Sequence, residues 1–285
     1  MSDKLCASCY DFSIDKYVKS MDNLKPYWLS EENYVENFIL KNTNFSTRFP
    51  KKYDTVLKLY IGKQYKGHLI LYWASIPKTT LSPLILDAKK AYSKFENNGI
   101  VKIDKNGFAT FKFLCPQPYK TQQKKNSKMK TFFRHLHFVI SNKENNSWLK
   151  QIYTKIVVCK LNFKQSIPLI SSGLFIILNA LPCEYYAKDH IPNSYNLNEA
   201  MIKKMSHNEL VNWLHDVVKL HYPKLYTYIK NRKMEIYELP ILMYCAHDKC
   251  DASEKAVHEI MKKGFVNVQD YTGGIMDYRK YRPHD

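Results

Sequence analysis

The sequence predicts two domains of different class, an N-terminal β-sandwich followed by an α/β domain built on a small parallel sheet. Three observations carry this. Between residues 53 and 161, short β-rich runs alternate with turn signals and little helix. An Asn-Gly pair sits between two of those runs. Beyond residue 173, apolar strands alternate with amphipathic helices, the pattern of a parallel sheet covered by helices. The chain has 285 residues, enough for two modest domains, and 45% are hydrophobic, enough for a buried core.

Residues 1–50 mix aromatics and charges (Tyr10, Phe12, Tyr17, Tyr27, Trp28) and read as an arm with one or two short helices. The sandwich spans 51–161. In it VLKLYI (56–61) alternates apolar and polar residues, and HLILYWA (68–74) is a continuous β-rich run. GIVKI (99–103), the turn Asp104-Lys105-Asn106-Gly107 and FATFKFL (108–114) predict a hairpin. FRHLHFVI (133–140) and TKIVVCKL (154–161) supply two more strands. TQQKKNSKMK (121–130) reads as an exposed Lys-rich loop, and 162–172 as a linker.

The α/β domain spans 172–285. LFIIL (174–178) and PILMYC (240–245) are strands of the buried type. Residues 198–222 read as one long helical stretch, with Ser206 an N-cap and Glu209 its capping-box partner. ASEKAVHEIMKKG (252–264) is an amphipathic helix ending at Gly264. A third strand begins over 265–268.

The net charge of +18 favours anionic partners, nucleic acid included, although no helix shows a reading face. The bland alternative is a soluble basic surface shaped by an AT-rich genome. Seven cysteines without framework spacing suit reduced thiols. No apolar run reaches membrane-spanning length and no signal peptide is visible. These features predict a protein that is cytoplasmic or virion-associated, not secreted and not in a membrane. Cys6-x-x-Cys9 lacks a partner pair that would complete a zinc site.

Cys245 ends an apolar strand, and a loop and a helix follow it. In open α/β sheets ligands bind at that edge, and a helix N-terminus there favours negative charge. A thiolate in such a place is a candidate nucleophile with a lowered pKa. The surrounding residues resemble the rhodanese superfamily over about 110 positions. EYYAKDHIPNSYNLN (184–198) is similar to its entry motif, LPILMYC to its nucleophile-bearing strand, and KKGFVNVQDYTGGIMDY (262–278) to its closing Gly-Gly motif. The loop CAHDKCDAS resembles a subgroup with two cysteines.

The resemblance implies sulfurtransferase or persulfide-carrier chemistry: Cys245 takes a sulfane sulfur from a small donor and passes it to a thiol acceptor. No cofactor is required. Backbone N–H groups of Ala246, His247, Asp248, Lys249, Cys250 and Asp251 would stabilise the persulfide, with Ser253 adding a hydrogen bond. Lys249 or His247 would attract an anionic donor. Cys250 reads as a packing thiol, a resolving thiol or the nucleophile itself. Asn179-Ala180-Leu181 replaces the family's Asp-Val-Arg triplet and removes its polar network. The loop has no Arg, which argues against phosphatase chemistry. The alternative is a non-catalytic basic protein, for instance one packaged with nucleic acid in a giant virus, using both folds as scaffolds.

A second pattern lies upstream. Gly99 to Phe108, then Pro118-Tyr119, then Arg134-His135-Leu136-His137 resembles the β-sandwich core of intradiol dioxygenases. That resemblance implies Fe(III) held by Tyr119, His135 and His137, two imidazoles on one strand face beside a phenolate. Tyr53 and Tyr72 are candidates for a fourth ligand.

Overall fold

The computed structural model describes residues 44–122, 128–149 and 151–282. The expected arm therefore lies almost wholly outside the described residues, as do the Cys6-x-x-Cys9 pair and residues 123–127 of the Lys-rich stretch. The chain forms two units. Among the described residues, one comprises those up to Lys78 together with Leu86–Val157; the other comprises Thr79–Ile85 together with those from Val158 onward.

In the first unit the elements are β1 (Thr55–Tyr60), β2 (Leu69–Ala74), β3 (Leu86–Asp87), α1 (Ala88–Tyr92), β4 (Asn98–Lys102), β5 (Phe108–Phe113), β6 (Tyr119–Gln122), β7 (Met129–Phe132), β8 (His135–Ile140) and β9 (Tyr153–Ile156). Strands β4-β2-β8-β9 form an antiparallel sheet, β1 and β5 an antiparallel pair, and β3-β6-β7 a third, mixed sheet. Both faces of the four-stranded sheet are covered. Ile70, Tyr72 and Ala74 pack with Leu59, Phe111 and Phe113 of the β1–β5 pair. Leu69, Leu71 and Trp73, pointing the other way, pack with Ala91 and Tyr92 of α1 and with Tyr119. Side chains alternate between faces along a strand. A strand covered on both sides therefore needs apolar residues at every position, which is why all six residues of β2 are buried.

The expected hairpin is only half present. Asp104 accepts the Asn106 and Phe108 amides, and Gly107 takes the left-handed φ of +86° that its turn requires. The flanking strands then part: β4 pairs with β2, whereas β5 pairs with β1 from Tyr60↔Phe108 to Thr55↔Phe113. Local turn chemistry is satisfied by Ile61 and Gly62 as well, both donating to the Gly107 carbonyl. A tight turn fixes a reversal of the chain; it does not fix which strand each arm bonds to.

The second unit contains β10 (Lys160–Leu161), α2 (Phe163–Ser171), β11 (Ile176–Asn179), α3 (Cys183–Lys188), β12 (Tyr195–Asn196), α4 (Glu199–Lys204), α5 (His207–His221), α6 (Pro223–Lys230), β13 (Ile241–Tyr244), α7 (Ala252–Lys262), β14 (Val268–Tyr271) and α8 (Gly274–Tyr281). Its five strands run parallel in the order β10-β14-β13-β11-β12. The expected linker over 162–172 is a helix, because Asn162 and Gln165 form a capping box that starts α2. The expected long helix over 198–222 is two. Ser206 and Glu209 form their capping box, and an N-cap needs extended backbone, so Met205 (ψ 134°) breaks the run. Among the described residues no helix is long and apolar enough to cross a membrane. Cys115 and Cys159 each take part in a disulfide, correcting the expectation of reduced thiols at those two positions.

Candidate functional site

Cys245 follows β13 directly and is fully buried. Its neighbour strands β11 and β14 flank β13, so the thiol leaves the sheet at the centre of its C-terminal edge. One residue holds the sulfur with donors. The Ser253 hydroxyl, in the first turn of α7, donates to Sγ at 3.2 Å, and the Ser253 amide adds a second hydrogen bond. The loop presents carbonyls instead: Sγ lies 3.2 Å from the Cys250 oxygen and 3.8 Å from that of His247. Carbonyl oxygens suit a thiol that donates and repel a thiolate.

The protonation state follows. Burial pushes the Cys245 thiol up to about 11, against the pull of Ser253 and helped by the nearby Cys250. The thiol is raised, not lowered as expected, and the donors on the sulfur of this resting thiol come from Ser253. In the turn within the loop, the Cys250 amide is spent on the His247 carbonyl at 2.9 Å, and the Lys249 amide points at the His247 ring.

The rest of the loop faces outward. Asp248 and Lys249 are exposed, and Ala246, His247 and Cys250 are partly so. Asp251 pairs with Lys255 at 2.8 Å, which turns its carboxylate from the thiol. Cys245 and Cys250 are both free thiols.

Two flanking segments clamp this loop. Gly274 has φ +63°, and a Cβ there would collide with the Cys245 carbonyl. The first amides of α8 then cap the loop, Ile275 donating to Cys245 and Met276 to Ala246. On the other side Tyr244 anchors the entry segment, its hydroxyl accepting from the Ile191 amide and meeting Ser194 at 2.8 Å. Arg279 of α8 grips Asp189 through Nε and Nη2. The Asn179-Ala180-Leu181 triplet keeps polar contacts of its own, since Asn179 accepts the Leu181 amide and Asn196 donates to the Leu181 carbonyl. Replacing Asp-Val-Arg here changes that network; it does not remove it.

Sequence reasoning missed Asp270. It sits on β14 in hydrogen-bonding contact with Ser253, 2% exposed, with Oδ1 lacking a hydrogen-bond partner. Burial raises its carboxyl to about 6, with Ser253 and Lys160 pulling it down and Glu254 pushing it up. The only signal in the sequence was an acidic residue inside the apolar run of the closing motif.

In the first unit the structure brings the expected donors together. Tyr119 Oη lies 2.8 Å from His135 Nε2, and His137 Nε2 lies 2.9 Å from the same atom. The fourth donor is neither candidate named from the sequence. Tyr53 is 47% exposed, and the Tyr72 hydroxyl donates to the Lys112 carbonyl in the opposite core. Tyr92 of α1 fills the place, 3.4 Å from Tyr119 Oη and 3.5 Å from His135 Nε2. Nothing in the short helix AKKAY announces this beyond the burial of Ala88, Ala91 and Tyr92 on one side.

The donor set suits a cation. His135 Nδ1 faces the Phe133 carbonyl at 2.6 Å, so that nitrogen carries the proton and Nε2 offers a lone pair. Burial lowers His135 to about 4, keeping it neutral. His137 Nδ1 faces Thr154 Oγ1 at 2.7 Å. If Thr154 accepts there, two bare imidazole nitrogens confront each other at 2.9 Å, and a cation is what relieves them. If Thr154 donates, a proton on His137 Nε2 fills the gap. Burial drives both phenols far above their usual range, so a cation would also be needed to ionise them. Among the described residues no group of three or more His, Cys, Asp or Glu could hold a metal, so a cation here would need the phenols as well.

Residues 169–281 match the family model described as the Rhodanese-like domain, so the second unit carries a rhodanese-like domain. Solved structures similar to the chain include the human single-domain sulfurtransferase TSTD1, at 13% identity, 44% of this chain, 97% of that chain and a TM-score of 0.31. The Saccharomyces cerevisiae single-domain sulfurtransferase RDL2 gives 13%, 47%, 98% and 0.33. The BH2092 protein of Bacillus halodurans gives 21%, 44%, 73% and 0.29. No curated protein matches the chain.

A buried acid whose folded pKa is raised binds its proton more tightly in the folded state. The folded state is thus favoured below the unfolded value of 3.8, and that advantage is lost as pH rises through about 6. Asp270→Asn should therefore gain on the parent across pH 4–6 and be more stable at pH 7 by up to ~3 kcal/mol, at 1.36 kcal/mol per pKa unit. Urea denaturation of both proteins at pH 4 and pH 7 measures it.

Proposed function

We propose that the C-terminal domain is a sulfurtransferase or persulfide carrier acting through Cys245. The observation that carries this reading is the placement of a free thiol at the end of the central strand of a rhodanese-like domain, with the hydroxyl and amide of Ser253 on its sulfur. With an anionic sulfane donor such as thiosulfate, Cys245 loses its proton to solvent and Sγ attacks the outer sulfur. A new S–S bond forms, the donor's S–S bond breaks, and sulfite leaves with the electron pair. The two Ser253 donors then bear on the anionic product. The exposed Lys249 and the partly exposed His247 attract the donor. Because Sγ is buried and faces two carbonyls, the 246–251 loop must turn outward for the donor to reach it. A thiol acceptor afterwards takes the outer sulfur.

In a single turnover with thiosulfate, the parent should release sulfite in proportion to chain, and Cys245→Ser should release none. If the parent also releases none, with mercaptopyruvate equally inert as donor, and the protein instead binds DNA or RNA in a salt-sensitive way, the basic-scaffold reading replaces this one.

A second reading concerns the first unit, and the convergence of Tyr92, Tyr119, His135 and His137 favours it. We propose that its sheets form a β-sandwich that holds Fe(III) through these four residues, two phenolate oxygens and two Nε2 atoms. Bound ferric iron would supply a Lewis acid and a redox centre in a buried pocket. The chain's own part is to keep His135 in the tautomer that leaves Nε2 free, through Phe133, and to exclude water with Trp73 and Phe132 packed around the rings. Protein produced with added iron should contain iron and show visible phenolate-to-iron absorption. Tyr92→Phe should shift that band and His135→Ala should lose the iron; iron-free, colourless protein would refute the site.

A further inference from the structure

The loop that carries Cys245 also carries a second free thiol, and its position gives that thiol a specific target. The turn closed by the Cys250 amide on the His247 carbonyl folds residue 250 back over Cys245. Cys245 Sγ is 3.2 Å from the Cys250 oxygen, and the Cys250 thiol lies close enough to raise the Cys245 pKa by hydrogen bonding and charge. Cys250 is partly exposed where Cys245 is buried. It is the last residue before the N-cap of α7, so it sits on the outer side of the same helix start that holds Cys245 through Ser253.

From this geometry we propose that Cys250 resolves the Cys245 persulfide within the loop, releasing hydrosulfide and leaving a Cys245–Cys250 disulfide, so that the domain reduces sulfane sulfur to sulfide. The inference rests on persulfide formation at Cys245. A persulfide has two sulfurs open to attack. Attack on the outer one transfers it; attack on the inner one, Sγ itself, expels it. Residue 250 is packed against Sγ, the inner sulfur, and the outer sulfur must point away from the Cys250 and His247 carbonyls. Cys250 therefore meets the position whose attack gives a disulfide.

The steps balance. Cys245–SH and thiosulfate give the persulfide anion, sulfite and a proton. The persulfide anion and Cys250–SH give the intramolecular disulfide and HS⁻: the Sγ–Sγ bond forms, the persulfide S–S bond breaks, and the Cys250 proton goes to the departing hydrosulfide. No outside oxidant enters. Two equivalents of an external thiol then reduce the disulfide and become oxidised in turn, so the whole cycle converts thiosulfate and two thiols into sulfite, hydrosulfide and a disulfide.

The experiment treats the full chain and Cys250→Ser with one equivalent of thiosulfate, without added thiol, and follows intact mass, peptide mapping and free sulfide. The parent is expected to lose two hydrogens, with residues 245 and 250 joined and sulfide released in step. Cys250→Ser is expected to stop one sulfur atom heavier at Cys245, with sulfide release reduced at least tenfold. A parent that keeps the extra sulfur as stably as Cys250→Ser, with no sulfide, overturns the inference while leaving the sulfurtransferase reading intact. A Cys250→Ser protein that gains no sulfur at all overturns both.

Discussion

The second unit is organised around how one sulfur is held. Cys245 Sγ receives donors from a single residue, Ser253, and faces the carbonyls of His247 and Cys250 on its other side. Everything around it serves that position. The strand β13 delivers it, the left-handed Gly274 lets α8 cap its carbonyl, and Tyr244 ties the preceding residue to the entry segment. A buried thiol with two acceptors and one donor residue is most stable protonated. The resting site is thus neutral, and reaction requires the loop to exchange its carbonyls for the incoming donor.

Burial sets the protonation state of both candidate sites in the same direction. Cys245 rises to about 11, Asp270 to about 6, the phenols of Tyr92 and Tyr119 rise further, and His135 falls to about 4. Each shift keeps a group uncharged or makes its charge costly. The two sites differ in what relieves the cost. Around Cys245 it is the hydroxyl and amide of Ser253; around His135 and His137 it is a proton or a cation.

Much of this was legible in the sequence wherever a local rule and the tertiary structure agreed. The strand ending at Tyr244, the helix from Ala252 and the Ser206 capping box all follow from patterns within a dozen residues. His135 and His137 fall on one face because strands alternate, whereas Tyr119 was placed with them only through the resemblance to the dioxygenase core. What was not legible depended on distant partners. The Asn106-Gly107 turn was visible, but the assignment of β5 to β1 rather than β4 is decided by packing across two cores. Tyr92 reaches its neighbours from a five-residue helix with no motif. The sign of the Cys245 shift turned on how deeply the thiol is buried, which no spacing reveals.

The central claim is that Cys245 is a protonated thiol held chiefly by Ser253. Labelling the cysteine β-carbons and titrating Cys245 by carbon NMR measures this directly in the parent and in Ser253→Ala. The account predicts a midpoint near 11 in the parent and a higher one in the variant. A parent midpoint at or below the ordinary cysteine value of about 8.5 would contradict it.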